Sequence, residues 1–304
     1  MSIQPERRPT RYSAANPKIP HCGLCLILAL ACTPVVHAQT TPAPERHAYF
    51  DEAQIEVQNS VLRATVNSRL PLAQMLDGLA KRFDWSINYE DPRYDSPEDL
   101  VDATSPQWLA EHPDGSHIFG PAGGPFSVSL TGFDQTDPQN EFRTLDAVVK
   151  AYNQSQNPGR FELHTFDDGS FVVVGIAAPH GSQTLILNTK ITLNVGPISA
   201  DQALIQWGRE LTVASGIRVE SGGGIVNNFL IQKQITVQAE NLPARDVLRQ
   251  IIKATSRNYY WGLFFDHNEN FYAINLMGSS KPFELSQLRQ LGGLYTPSMC
   301  LHLA

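Results

Sequence analysis

Acidic side chains crowd one stretch of this chain: Glu90, Asp91, Asp95, Glu98, Asp99 and Asp102 fall within thirteen residues. Carboxylates that converge on one loop hold calcium, usually around a glycine that makes the sharp turn. This run has no glycine and none of the standard spacing, so it reads as a solvated acidic loop, with a metal site as the rival. Asp167-Asp168-Gly169 offers paired carboxylates, but its place between two apolar runs reads as a hairpin turn. Ser221-Gly222-Gly223-Gly224 lacks the Gly-Lys-Ser/Thr and the helix that a phosphate loop needs. His47, His112, His117, His164, His180, His267 and His302 are scattered, and no pair has the four-residue spacing of metal ligands on a helix. His112 and His117 share a loop with Asp114, where a surface metal contact is the sharper reading. No arrangement of nucleophile, base and orienting acid is present. The expectation is a protein without catalytic residues, cofactor or metal.

A different chemistry lies near residue 261. Tyr259-Tyr260-Trp261-Gly262-Leu263-Phe264-Phe265 is apolar or aromatic almost throughout. Such a strand is either core on both faces or a partner surface, because exposed aromatics anchor interfaces and free sheet edges accept strands. Tyr259, Tyr260, Trp261 and Phe264 are the candidate partner-binding residues.

The elements that position these residues are written twice. Leu72, Met75, Leu76, Leu79, Ala80 and Phe83 recur as Ala200, Ala203, Leu204, Trp207, Gly208 and Leu211, at an offset of 128. Leu145, Val148, Val149 and Tyr152 recur as Ala244, Val247, Leu248 and Ile251, at an offset of 99. Both patterns are apolar stripes of amphipathic helices, which must face a core. Alternating runs predict strands around 62–66, 85–89, 126–130, 160–166 and 171–176, then 191–195, 217–220, 234–239, 259–265 and 271–276. The fold class is therefore α+β, in two tandem β-α-β-β-α-β-β modules, each with two helices packed on a small mixed sheet. The first spans 60–178 with a long insert at 90–125, and the second spans 188–277. Pro-rich residues 90–125 read as a loop with one helical turn near Trp108-Leu109.

Residues 1–38 have the three-part order of an export signal: basic Arg7, Arg8, Arg11 and Lys18, an apolar run at 23–31, and Val36-His37-Ala38. A run this short does not reach the roughly 20 residues of a spanning helix, so no integral membrane segment is expected after cleavage. Residues 39–59 read as a leader. Ala29-Leu30-Ala31-Cys32 offers the alternative of a lipidated Cys32, with Ala29 where Leu is usual. Cys300 is the only cysteine outside 1–38, so no intrachain disulfide forms in the mature chain. The chain holds 23 basic and 30 acidic residues, and without 1–38 it keeps 19 and 29, a net of −10. That charge repels phosphate backbones and argues against nucleic-acid binding.

Leu70–Phe83 followed by Trp85–Tyr89 resembles the secretin and TonB short N-terminal domain, with its strand, "pLaeaLdaLa" helix and short strand. Ile191–Glu220 and Gln234–Leu248 resemble the same family and its secretin relatives. The resemblance covers most of residues 60–276. It implies a periplasmic interaction domain that engages partner proteins ahead of an outer-membrane pore or receptor barrel. Here only a tail, 278–304, follows, with a helix expected near Phe283–Leu291, so pore or receptor activity is not implied. The expectation is a periplasmic or secreted protein acting on an envelope protein partner. The alternative is a ligand-binding protein or enzyme, with its pocket between the modules or under the 90–125 loop.

Overall fold

Strand alternation and helical stripes place the core before any tertiary contact is considered, and the computed structural model shows which faces they bury. It describes residues 52–104, 106–111, 117–181, 185–221 and 228–278, all within one compact unit, His47–Ala304. The expected export signal, Cys32, most of the expected leader, His112, the glycines at 222–224, the expected tail helix and Cys300 lie outside the described residues.

The first half runs β1 (Gln54–Gln58), β2 (Val61–Asn67), α1 (Pro71–Phe83), β3 (Ile87–Glu90), β4 (Leu100–Asp102), α2 (Pro106–Glu111), β5 (Phe119–Pro121), β6 (Pro125–Thr131), α3 (Asn140–Gln154), β7 (Arg160–Thr165) and β8 (Phe171–Ala177). The second runs β9 (Lys190–Ser199), α4 (Ala200–Ser215), β10 (Arg218–Ser221), α5 (Asn228–Gln232), β11 (Gln234–Pro243), α6 (Ala244–Ala254), β12 (Tyr259–Asp266) and β13 (Phe271–Gly278). The class is α+β. α1 opens on Pro71, whose missing N–H would have no helical partner there. α4 opens on a capping box in which Ser199 and Gln202 satisfy each other's backbone N–H groups.

The helices do not rest on one small sheet in each half. The strands divide, and the helices lie between two sheets. α1 contacts β2 and β6 as well as β3, and α4 contacts β9 and β11 as well as β10. β2 pairs antiparallel with β6, and β9 with β11. The remaining strands of both halves join one six-stranded sheet in the order β10-β13-β12-β3-β8-β7. Within it β3 runs parallel to β8, as β10 does to β13, and each half contributes a closing hairpin, β7–β8 or β12–β13.

The sheet's two faces serve different cores, as its period of two requires. Ile87, Tyr89, Phe161 and Val173 join the core under α1 and α3. Val172, Val174, Trp261, Leu263, Tyr272 and Ile274 join the core under α4 and α6. Four of the six expected stripe positions are at most 2% exposed in α1, and four are fully covered in α4.

Two readings change here. Part of the expected leader is a strand, since β1 pairs along its length with β2 and its neighbour Ala53 packs on α1 at Gly78. The 90–125 insert is not a plain solvated loop. It forms the β4–β5 pair and the short helix α2, and buries Glu90, Asp91, Tyr94 and Asp99. The burial follows from partners that the insert finds in other elements, described next.

Candidate functional site

β12 meets β3 through a short parallel pairing, Gly262 opposite Tyr89 and Leu263 opposite Glu90. Side chains extend this joint at both ends. Asn88 donates to the Phe171 carbonyl at 2.7 Å and accepts from the Trp261 N–H at 3.1 Å. Arg245 on α6 donates to both oxygens of Glu90, at 2.7 and 2.6 Å. Both side chains are largely buried, so this paired fork replaces the water each charge has lost. The Asp167–Ser170 turn is the expected hairpin, and it is pinned to α6. Asp168 pairs with Arg249 and Lys253, both at 3.1 Å. Burial works against its charge, but hydrogen bonds from Ser170, Lys253 and Arg249 prevail and hold the carboxyl well below its ordinary range.

Because α1 and α3 cover only the first-half side of the shared sheet, the same face of β12 and β13 is left partly open. It forms the floor of a cleft of about 730 Å³. Tyr260, Gly262 and Phe264 of β12 and Ala273, Asn275 and Met277 of β13 make the floor. Ala73, Gln74, Asp77 and Ala80 of α1 make one wall, and Ile118 and β5 make another. The hairpin turn Asp266-His267-Asn268 closes one end. Gly262 makes room for the Phe264 ring, which lies over it: a Cβ there would stand 2.6 Å from that ring.

β5 is paired with β4, and one side chain ties it to the hairpin turn of the second half. Asn268 accepts from the Phe119 N–H and donates to the Phe119 carbonyl, both at 3.0 Å, as a neighbouring strand would. Ile118 and Phe119 remain 47% and 40% exposed at the rim. Farther back, the insert is anchored by His180, whose backbone N–H and ring Nδ1 both meet the buried Asp99, at 3.0 and 2.7 Å. The hydrogen bond to Asp99 raises the His180 pKa from its ordinary value.

Behind the floor lies Asp91. It accepts from the Tyr89 hydroxyl and, at 3.3 Å, from the Phe265 N–H, while its own N–H donates to Leu263. Among the described residues it has no cation partner, and burial pushes its carboxyl up to about 7. In the cleft itself, burial and then the charge of Asp77 raise the Tyr260 phenol.

The four aromatic candidates separate by strand alternation. Tyr259 and Trp261 are 6% and 2% exposed and belong to the second-half core. Tyr260 and Phe264 line the cleft. The expected free edge is absent, because β12 is bonded to β13 on one side and β3 on the other. A partner can therefore reach this strand only by its face. Gly262, Ala273, Ile118, Phe119 and Asn268 were not singled out in the sequence. Gly262 in an aromatic strand was the available signal, since such a glycine marks close approach.

The described acids and histidines of the insert form separate pairings rather than one site. Asp102 is tied to Thr104 and His117, which lower its carboxyl to about 2, and Asp99 to His180. Among the described residues no group of three His, Cys, Asp or Glu is placed to hold a metal ion. No helix among them is long and apolar enough to cross a membrane. The chain matches no protein-family model, no curated protein and no solved structure.

Proposed function

We propose that this chain is an exported, non-catalytic binding protein of the cell envelope, and that the cleft on the open face of β12 and β13 is where it binds. The cleft carries the reading. It is apolar, it is built by both halves, and its rim presents Ile118 and Phe119 to solvent. Large exposed side chains beside a concave apolar surface are the usual sign of a recognition site. The partner in this reading is an envelope protein, in keeping with the resemblance to secretin and TonB short N-terminal domains, and the setting is an accessory role in such a system. The test is recovery of partners from envelope extract under mild crosslinking, with the wild-type protein and with Ala273→Trp, which fills the cleft. A protein retained by the first and lost from the second supports the reading; no retained protein, or equal retention by both, sinks it.

A second reading is favoured by the size of the cleft. Small-molecule sites enclose roughly 300–1,000 Å³, with mainly apolar walls and few polar groups. A volume of about 730 Å³ between α1, β5 and the sheet falls in that range.

A further inference from the structure

The geometry points to a ligand class for the cleft: an apolar body carrying an alkylated ammonium head, a small cationic amphiphile. This rests on the ligand-binding reading above and adds its charge. Phe119, Tyr260 and Phe264 bring aromatic rings to the cleft, while Tyr89, Tyr94 and Phe265, which also touch it, are buried in the cores behind. The lining contains no Lys or Arg. Its two acids differ. Asp77 is matched to Lys81 at 2.7 Å. Asp266, at the hairpin end, accepts the Glu269 N–H of its own turn and makes no ion pair among the described residues. An anionic head would meet no Lys or Arg of the lining, only the His267 ring beside Phe119, and would face Asp266. A cationic head gains that carboxylate and the electron-rich faces of the rings, the combination by which proteins hold quaternary ammonium groups. The alkyl or aryl body lies along the floor made by Tyr260, Phe264, Ala273 and Met277.

The test is displacement of the uncharged fluorescent probe N-phenyl-1-naphthylamine from the protein. Dodecyltrimethylammonium and dodecanoate, of equal chain length, compete below their micelle concentrations. The expected result is displacement by the ammonium at a concentration on the order of 10-fold lower, the scale of one charge–charge contact near a protein surface. Asp266→Asn keeps an acceptor for the Glu269 N–H; it should still bind the probe and should lose most of that preference. Equal or stronger displacement by the carboxylate overturns the proposal, as does a preference unchanged by Asp266→Asn. In either case probe binding that disappears in Ala273→Trp, with the circular dichroism spectrum unchanged, leaves the ligand-binding reading standing. A wild-type protein that takes up no probe removes both.

Discussion

Asp91→Asn should remove a pH dependence that the wild-type fold carries between about pH 4 and pH 7. The carboxyl is buried, makes no ion pair among the described residues, and has its pKa raised from 3.8 to about 7. The folded state therefore keeps a proton that the unfolded chain releases in this window. Stability contributed by the protonated form is complete below the unfolded value and is lost as pH rises through the folded one. At ~1.4 kcal/mol per pH unit, the distance from 3.8 to about 7 amounts to about 4 kcal/mol. Water reaching the carboxylate would reduce it. Tyr89, Tyr94, Tyr152 and Tyr272 surround the site, and burial raises their phenols above the ordinary value of 10, so none titrates here. The assay is urea denaturation followed by tryptophan fluorescence from pH 5 to pH 8, for wild type and variant. The amide retains one acceptor for the Tyr89 hydroxyl or the Phe265 N–H, so a constant offset of about 1–3 kcal/mol is expected from the donor left over. The informative quantity is how the difference changes: wild type should lose about 2–3 kcal/mol relative to the variant between pH 5 and pH 8. Parallel curves would mean that this carboxyl titrates as it does in water, and the account of its burial would be wrong.

Leu76→Ala and Leu204→Ala, at 2% and 5% exposure on the matched helices, should each cost about 2–5 kcal/mol in the same denaturation assay. Arg245→Ala strands the buried Glu90 and should cost about 3–5 kcal/mol, and the double variant Arg245→Met with Glu90→Leu should recover much of it. Asn268→Ala should speed hydrogen exchange at the Phe119 amide while changing global stability by no more than ~1 kcal/mol, because β5 loses its tie to the hairpin turn and keeps its pairing with β4. The His180 ring should titrate above 6.5 by NMR, and Asp99→Asn should bring it back toward that value, since the Asp99 hydrogen bond is the main cause.

The helices were legible because an apolar stripe at helical spacing has only one way to be covered, and Leu76 and Leu204 are covered as their spacing demands. The hairpin at Asp168 was legible for the same local reason. The pairing of strands was not. Nothing near Tyr89 announces Gly262, and the β12–β3 contact alone turns two halves into one sheet. The acids of the insert misled because a run of carboxylates looks solvated unless its partners are known. The partner of Glu90 lies 155 residues away, at Arg245. The cleft inherits both difficulties: its floor comes from one half and its long walls from the other.

The strand order also has a consequence for the history of each molecule. β3 has β8 on one side from within its own half, but its other edge is covered by residues made some 170 positions later, as the Asn88 to Trp261 hydrogen bond measures. Until β12 arrives, the first half presents an open strand edge, the kind of surface on which chains pair wrongly with one another. Contacts so distant in sequence also close slowly. A chain interrupted before Tyr259 should therefore aggregate rather than persist as an independent half, and a helper protein that guards nascent chains would find its grip at Ile87–Glu90.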